Sequence, residues 1–425
     1  MMYFERGSKT DIITAEDTRA ILKQVFDAMG PKKRVLALPP DFTRFNSYAG
    51  PITEMVNDYF GDALTDVMPA LGTHSPMTDE QLSVMFPSVP KSKFRVHDWR
   101  NDIVTVGTVP GSYVSEVSEG KLDYEMNAQV NKLLLDPSFD LILSIGQVVP
   151  HEVIGMANYT KNIFVGVGGS DFINKSHFIG ASYGMERIMG RAKSPVRDVF
   201  EYAKVNFLKD VPIVYVLTVR AKDEATGEMV TRGLYIGDDF ECFQKAADLS
   251  LATNFIMVER EIKKCIVYLD PEEFKSTWLG NKSVYRTRMA LADDAELIVL
   301  APGLKEFGED KTIDGLIRKY GYKGTPHTLE CTNANADLQA NLGASAHLIH
   351  GSSEGRFRIT YCPGDGMSRA EIEGVGFNYC HYNDMVARYP LESLKDGWNV
   401  VNGEEVYYIS NPALGLWAYP DRFKD

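Results

Sequence analysis

Three short apolar runs, each broken off by a polar loop rich in reactive side chains, constrain this chain more than any other feature. Lys33-Arg-Val-Leu-Ala-Leu38 runs into Pro39-Pro-Asp-Phe-Thr-Arg-Phe45. Thr65-Asp-Val-Met-Pro-Ala-Leu71 runs into Gly72-Thr-His-Ser-Pro76. Phe139-Asp-Leu-Ile-Leu-Ser-Ile145 runs into the stretch from Gly146 to Gly180, which carries His151, Lys161 and His177. Runs of this length read as buried strands. Helical patterns alternate with them: 15–29, with Ile21, Val25 and Phe26 on one face and a stop at Gly30-Pro31; a helix near 51–61; one capped by Thr78; and further helices at 122–135 and 194–207. With added strands at 103–107 and 212–218, the alternation predicts a parallel, doubly wound sheet. In such sheets ligands bind beyond the carboxyl ends of the strands.

At 425 residues the chain exceeds what one core usually organises, so two domains are expected. The expectation is α/β throughout: two α/β domains with mostly parallel sheets and an interdomain cleft. The first spans 1–259, with 237–259 as a helical connector. The second spans 260–398, with strands at 264–268, 295–303, 345–350 and 357–362 and helices at 311–320 and 368–373. The tail 399–425, with a strand over Val406–Ser410, is expected to return to the first domain. A net charge of −13 argues against nucleic acid or an anionic membrane as partner, since both call for basic patches. No apolar run reaches the length of a membrane span or signal peptide. Five cysteines without any CxxC pair fit reduced thiols, so a cytoplasmic location is expected.

The three strand-end loops of the first domain would emerge on one edge, bringing Asp41, Thr43, Arg44, His74, His151, Lys161 and His177 within reach of one another. Arginine grips a carboxylate with two parallel hydrogen bonds, and histidines exchange protons near neutrality, so the set suits acid–base work on an anion. Each residue also has a plain structural alternative. His74 could cap a helix, Asp41 and Arg44 could pair locally, and His151 could satisfy a loop carbonyl. Elsewhere, His347 and His350 fall on an apolar run read as a strand, where burial explains them better than metal binding. His97 and the pair Cys380-His381 lack a strand-end setting, and Glu306 to Asp310 reads as a solvated loop.

The constellation resembles the nickel-dependent lactate racemase family. Asp41-Phe-Thr-Arg44 matches its D-x-T-R loop, and Gly72-Thr-His-Ser-Pro76 its histidine loop after the next strand. His151, Lys161 and His177 keep the family's intervals of ten and sixteen residues, and Gly155 falls on a family glycine. The resemblance implies that Lys161 tethers a nickel-pincer nucleotide (pyridinium-3,5-bisthiocarboxylic acid mononucleotide nickel) through a thioamide, and that His177 is the protein ligand to nickel. It implies that His74 and His151 act as alternating general bases and acids. Asp41, Thr43 and Arg44 would hold the cofactor phosphate or the substrate; a carboxylate repels phosphate, so Asp41 is expected to orient Arg44 or a histidine. The activity implied is racemisation or epimerisation of a small anionic 2-hydroxy acid by reversible hydride transfer. Cofactor-synthesis proteins are the implied partners, and preparations from a host without them would lack the cofactor.

The sequence departs from the family in places. Met156-Ala-Asn-Tyr-Thr160 stands where the family has a glycine-rich run before the lysine, and glycines follow instead in Val165-Gly-Val-Gly-Gly169, where a tight turn explains them as well as a phosphate loop. In the second domain Tyr285 aligns, but Lys282, Arg286 and Arg288 compete for the family's cation. Tyr285, Arg286 and Arg288 are the expected substrate contacts, and the extra polar groups point to a longer, polyhydroxylated sugar acid. Two other readings remain open: a metal-free lyase or dehydratase in which Lys161 forms a Schiff base, and a non-catalytic sugar-acid or nucleotide-binding protein.

Overall fold

The structure is a computed structural model that describes residues 1–223 and 225–424. The chain divides into two compact units, Met1–Ser176 with Ile188–Asn254, and His177–Arg187 with Phe255–Asp425.

The first unit contains β1 (Met2–Gly7), β2 (Val35–Leu38), β3 (Leu64–Val67), β4 (Ile103–Val109), β5 (Met126–Asn131), β6 (Leu141–Gln147), β7 (Pro150–His151), β8 (Gly155–Met156), β9 (Ile213–Lys222) and β10 (Met229–Gly237). Its main sheet has the order β1-β10-β9-β6-β2-β3. The strands β9, β6, β2 and β3 run parallel, while β10 and β1 close one side antiparallel. All four residues of β2 are buried, as expected of a parallel strand covered on both faces. The helix Ala15–Met29 starts with a reciprocal capping box between Thr14 and Asp17, and Gly30 ends it at φ 73°. Ile21, Leu22, Val25 and Phe26 line its inner stripe and pack with Val35, Val56, Leu143 and Val216 in one core. The helix Asp79–Met85 has a second capping box, between Thr78 and Gln81.

The second unit holds β11 (Ile256–Met257), β12 (Ile262–Tyr268), β13 (Leu291–Ala301), β14 (Arg358–Pro363), β15 (Asn378–Tyr379), β16 (Gly397–Val401), β17 (Glu404–Ile409) and β18 (Trp417–Ala418). Its sheet has the order β15-β14-β13-β12-β17-β16, with only β16 antiparallel to its neighbour. The chain is therefore an α/β protein with two mixed, mostly parallel six-stranded sheets. Among the described residues no helix is long and apolar enough to cross a membrane.

Three sequence expectations are corrected. The segment 122–135, expected as a helix, holds β5 and then the 3-10 turn Lys132–Leu135; Met126, Ala128 and Val130 are buried at every second position, and β5 pairs antiparallel with β4 outside the main sheet. The strand expected at 345–350 is the helix Leu342–His350, capped by the Asn341 side chain on the Ala344 N–H. An apolar run buried all round has no period to betray it, so length and capping decide. Residues 399–425, expected to return to the first domain, group with the second unit, where β17 lies parallel to β12.

Candidate functional site

Because β6, β2 and β3 are adjacent and parallel, the loops after them leave one edge of the first sheet. The loop after β2 turns at once into a short 3-10 segment, Phe42–Ser47, with Asp41 at its head. Asp41 is 5% exposed. Its Oδ2 lies 2.7 Å from His74 Nδ1, and its Oδ1 accepts the Thr43 hydroxyl. Thr43 Oγ1 in turn accepts from Arg44 Nη1 at 3.2 Å. Burial resists ionisation of Asp41, but the hydrogen bonds from His74 and Thr43 and the charges of His74 and Arg44 outweigh it, holding the carboxyl below its ordinary value. An ionised carboxylate only accepts, so the proton sits on His74 Nδ1 and the Nε2 lone pair is left for chemistry. The His74 side chain is 53% exposed, which keeps that lone pair reachable.

His151 lies in the two-residue ribbon of β7 and β8, opposite Gly155. Only glycine fits there: φ is +92°, and a Cβ would come within 2.2 Å of the Arg191 carbonyl oxygen. His151 Nδ1 accepts the Val153 N–H at 3.1 Å, with a Glu152 carboxylate oxygen 3.9 Å away. A backbone N–H only donates, so neutral His151 carries its proton on Nε2. The partners thus set the two histidines in opposite tautomers, one presenting a lone pair and the other an N–H.

Lys161 follows this ribbon. The next residue, buried Asn162, donates to the Leu38 carbonyl at 3.1 Å and to Ser144 Oγ at 2.9 Å, tying the segment to the ends of β2 and β6. The Gly72 N–H donates to the Gly166 carbonyl at 2.8 Å, which docks the histidine loop on the same segment. Among the described residues the Lys161 ammonium has no hydrogen-bond or ion-pair partner. Burial pushes it down to about 8; Arg44 and Arg197 act in the same sense, while Glu152 and Asp41 oppose them. Asp41, Arg44, Glu152 and Lys161 therefore share one electrostatic environment, and His74 joins it through Asp41.

The glycines after Lys161 are packing residues. A Cβ on Gly168 would stand 1.9 Å from the Phe164 carbonyl oxygen, and one on Gly169 2.4 Å from Gln129 Oε1. Before Lys161, Asn158 and Tyr159 adopt left-handed φ values of 68° and 57°, conformations in which glycine would be unstrained. The residue that sequence reasoning missed is Arg197, which is fully buried beneath this turn. It donates to the carbonyls of Met156 at 2.6 Å and Asn158 at 3.2 Å and to Thr160 Oγ1 at 2.7 Å. A signal existed: Arg197 stands beside Val196, Val199 and Phe200 on the buried face of the helix Pro195–Phe207, where an arginine needs a reason.

His177 lies on the helix Ser170–Tyr183, among the residues that group with the second unit, and is half-buried. In the second unit, Arg288 is buried and pairs through Nε with Glu186 at 2.9 Å and through Nη1 with the Ser352 carbonyl at 3.2 Å. Arg286 Nη1 donates to the carbonyls of Ala413 and Gly415 at 3.2 and 3.3 Å. Both guanidiniums therefore brace their own unit. The Lys282 ammonium is 5.4 Å from the centre of the Phe274 ring. His97 is structural: its Nδ1 accepts from Asn131 at 3.0 Å and its Nε2 donates to the Gly168 carbonyl at 3.1 Å. His381 accepts the Asn383 N–H at the start of the helix Tyr382–Arg388, and Asp310 caps the helix Lys311–Tyr320.

Fold and site together define an α/β protein with a lysine whose pKa is lowered by burial and an aspartate-held histidine on one edge of a mostly parallel sheet. Residues 17–186 match the family described as Lactate racemase N-terminal domain. A crystal structure of a structural-genomics protein from Thermotoga maritima aligns at a TM-score of 0.75 with 21% identity, covering 97% of this chain and 99% of that one. The lactate racemase apoprotein from Thermoanaerobacterium thermosaccharolyticum aligns at 0.64 with 14% identity, covering 96% and 93%. At these identities the likeness is one of fold. No curated protein matches the chain.

Proposed function

We propose that this protein is an isomerase, a racemase or epimerase acting at the hydroxyl-bearing C2 of a small 2-hydroxy acid. The observation that carries this reading is Lys161: an unpaired, partly buried amine held down to about 8, on the sheet edge where Asp41 orients His74. Such an amine suits covalent attachment of the family's nickel-pincer nucleotide, and Arg44 is the cation placed to meet its phosphate or the substrate carboxylate. Among the described residues no cluster of three or more His, Cys, Asp or Glu side chains could hold a metal unaided. A nickel ion whose other donors come with the nucleotide needs one imidazole, and His177 is the residue proposed for it. When bound, the nucleotide supplies a reversible hydride acceptor.

The chain's own residues then divide the proton work. His74 Nε2 takes the hydroxyl proton of the stereoisomer presented to it, and the Asp41 carboxylate stabilises the imidazolium that results. His151 presents an Nε2–H, which holds the substrate oxygen on the other side by hydrogen bond. For His151 to release a proton it must first become the imidazolium, whose Nδ1–H has the nearby Glu152 carboxylate to turn to. A sugar acid longer than lactate remains the proposed substrate class.

The test is an intact mass of protein produced together with the cofactor-synthesis proteins. A nucleotide-sized adduct mapped to Lys161, with nickel present and with racemase activity on 2-hydroxy acids, is expected. Neither adduct nor nickel, under conditions that load a lactate racemase, would sink the reading. The depressed Lys161 also favours a second reading, in which the neutral amine condenses with a keto acid, forming C=N and releasing water. Borohydride would then fix a substrate-sized secondary amine at Lys161.

A further inference from the structure

Beneath the Lys161 turn lies a buried polar group that the proposed proton transfers do not use: Arg197, Glu201, Lys204, Tyr159 and Tyr215. The Tyr159 ring is fully buried, stacks on Phe243 at 5.0 Å between centroids, and meets Tyr215 at 4.4 Å. Its hydroxyl donates to Glu201 Oε2 at 3.2 Å and accepts from Lys204 Nζ at 2.7 Å. The Arg197 guanidinium lies 4.3 Å from the centre of the Phe243 ring.

How Arg197 uses its hydrogen bonds is the informative point. Glu201 stands one helical turn further on, the usual place for an arginine to find its carboxylate. Yet the forked N–H groups go to the Met156 and Asn158 carbonyls and to the Thr160 hydroxyl, while Arg197 Nε and Glu201 Oε1 stay buried without a partner among the described residues. The guanidinium is thus oriented by the turn and not by the carboxylate. All three acceptors lie within five residues of Lys161, and they bracket the two consecutive left-handed residues, Asn158 and Tyr159.

We propose that Arg197 is the positioning residue for covalent attachment at Lys161, clamping the strained Asn158–Tyr159 turn so that the amine stays desolvated and ready to react. This rests on the reading of Lys161 as the attachment point. An amine joins an acyl-type carbon only through its lone pair: the C–N bond forms as that carbon's leaving group departs, and the nitrogen gives up one proton. Burial, followed by Arg44 and then Arg197, favours the neutral amine, against Glu152 and Asp41. Arg197 acts mainly through the first of these, by fixing the backbone that keeps Lys161 out of water.

Competitive labelling tests the proposal on the full chain made without the cofactor-synthesis proteins, so that Lys161 is unblocked. Trace acetic anhydride is applied between pH 6.5 and 11, and acetylation of the Lys161 peptide is read by mass spectrometry against exposed lysines such as Lys9 and Lys209. Wild-type Lys161 is expected to titrate near 8. An amine restored to the ordinary lysine value would lose about 150-fold of its neutral fraction at pH 8. Arg197→Met and Arg197→Lys are both expected to raise the midpoint and slow labelling at pH 8 by about tenfold or more. The lysine variant keeps the charge but cannot reach three acceptors, so its failure to rescue separates clamp from charge.

Cooperative thermal unfolding checks that each variant is folded. Folded variants that label like the wild type overturn the proposal, as does full rescue by lysine. Should neither variant fold, Thr160→Val removes one anchor alone; a smaller rise in the Lys161 midpoint is then expected, and no rise refutes the clamp. Co-production with the synthesis proteins separates this from the functional reading. An Arg197-dependent Lys161 that never gains the adduct leaves the clamp in place and removes the attachment.

Discussion

Replacing Asp41 by Asn tests the arrangement on which the proposed proton transfer depends. The carboxylate is almost wholly buried, stands 2.7 Å from His74 Nδ1, and is fixed on its other oxygen by Thr43. A hydrogen bond to a charged acceptor contributes roughly 1.5–3 kcal/mol, and because His74 is half exposed we discount this to about 1–2 kcal/mol. That biases the imidazole towards the Nδ1–H tautomer by roughly five- to thirtyfold. Asparagine has nearly the same shape but can offer Nδ1 either its carbonyl or its NH2 group, so the bias falls towards unity. With the NH2 presented, His74 Nε2 carries the proton and cannot act as a base.

The lost bias leaves about half of His74 in the working tautomer, and the imidazolium loses the same ~1–2 kcal/mol of stabilisation, so kcat of the loaded enzyme should fall by roughly ten- to sixtyfold in Asp41→Asn, with KM changing much less. Nitrogen-15 NMR of the His74 ring reads the tautomer directly in protein that carries no cofactor. A His74 tautomer unchanged by the substitution would refute the argument, whatever the kinetics. The acid limb of stability gives an independent check. The native Asp41 carboxyl titrates below its unfolded value, so its contribution is complete above about pH 4 and is lost as pH falls through the native value. Asp41→Asn should therefore lose less stability than wild type on acidification below about pH 4.

Lys161→Met should stabilise the protein by about 1–3 kcal/mol below pH 8, because the depressed lysine disfavours folding while charged. Stability of the wild type should rise from pH 8 towards 10.5 as the unfolded chain binds the extra proton, closing the gap to the variant in thermal scans. Arg288→Met removes a buried cation from Glu186, which still pairs with Arg356 at 3.0 Å, so a loss of about 2–4 kcal/mol is expected in denaturant titration, with substrate KM little changed. A rise in KM at undiminished stability would return Arg288 to the substrate. His347 is pushed down to about 3 by burial and by His350, and its Nε2 pairs with the Tyr322 hydroxyl at 3.0 Å. The unfolded chain takes up this proton below about pH 6.5, so stability falls from there towards pH 3; His347→Phe should flatten that slope in pH-dependent unfolding.

Legibility in the sequence followed the range of the interaction. Strands such as β2 and β6 and the helices Ala15–Met29 and Lys311–Tyr320 are announced by local signals, an apolar run or a capped stripe, and they fall where the pattern puts them. β5 and the helix Leu342–His350 were misread where local pattern and packing part company. Leu133, Leu134 and Leu135 extend an apparent helix beyond the alternating Met126–Asn131, and a fully buried helix shows no polar face. The dyad of Asp41 and His74 was half legible: the residue types and strand-end positions are in the sequence, but which partner Asp41 chooses is decided in three dimensions.

The loop before Lys161 shows what a pattern cannot carry. A run without glycine at 156–160 reads as a departure, yet the backbone still takes left-handed turns at Asn158 and Tyr159. Each such residue costs about 1–2 kcal/mol in general, somewhat less for asparagine, whose Oδ1 here accepts the Tyr159 N–H at 2.6 Å. The offset comes from burying the Tyr159 ring and from the three hydrogen bonds of Arg197, nearly forty residues away in the chain. A glycine loop needs no such support, and so it stays mobile; a loop made of Asn and Tyr holds the same shape only while Arg197 is in place. The conformation that presents Lys161 is therefore encoded in the helix Pro195–Phe207 as much as in the loop itself. That is why the two have to be mutated together to show it: Asn158→Gly with Tyr159→Gly should make the fold less sensitive to Arg197→Met than it is in the wild-type background, read as a coupling energy in a double-mutant cycle. Additive losses would mean that the clamp and the strain are unrelated.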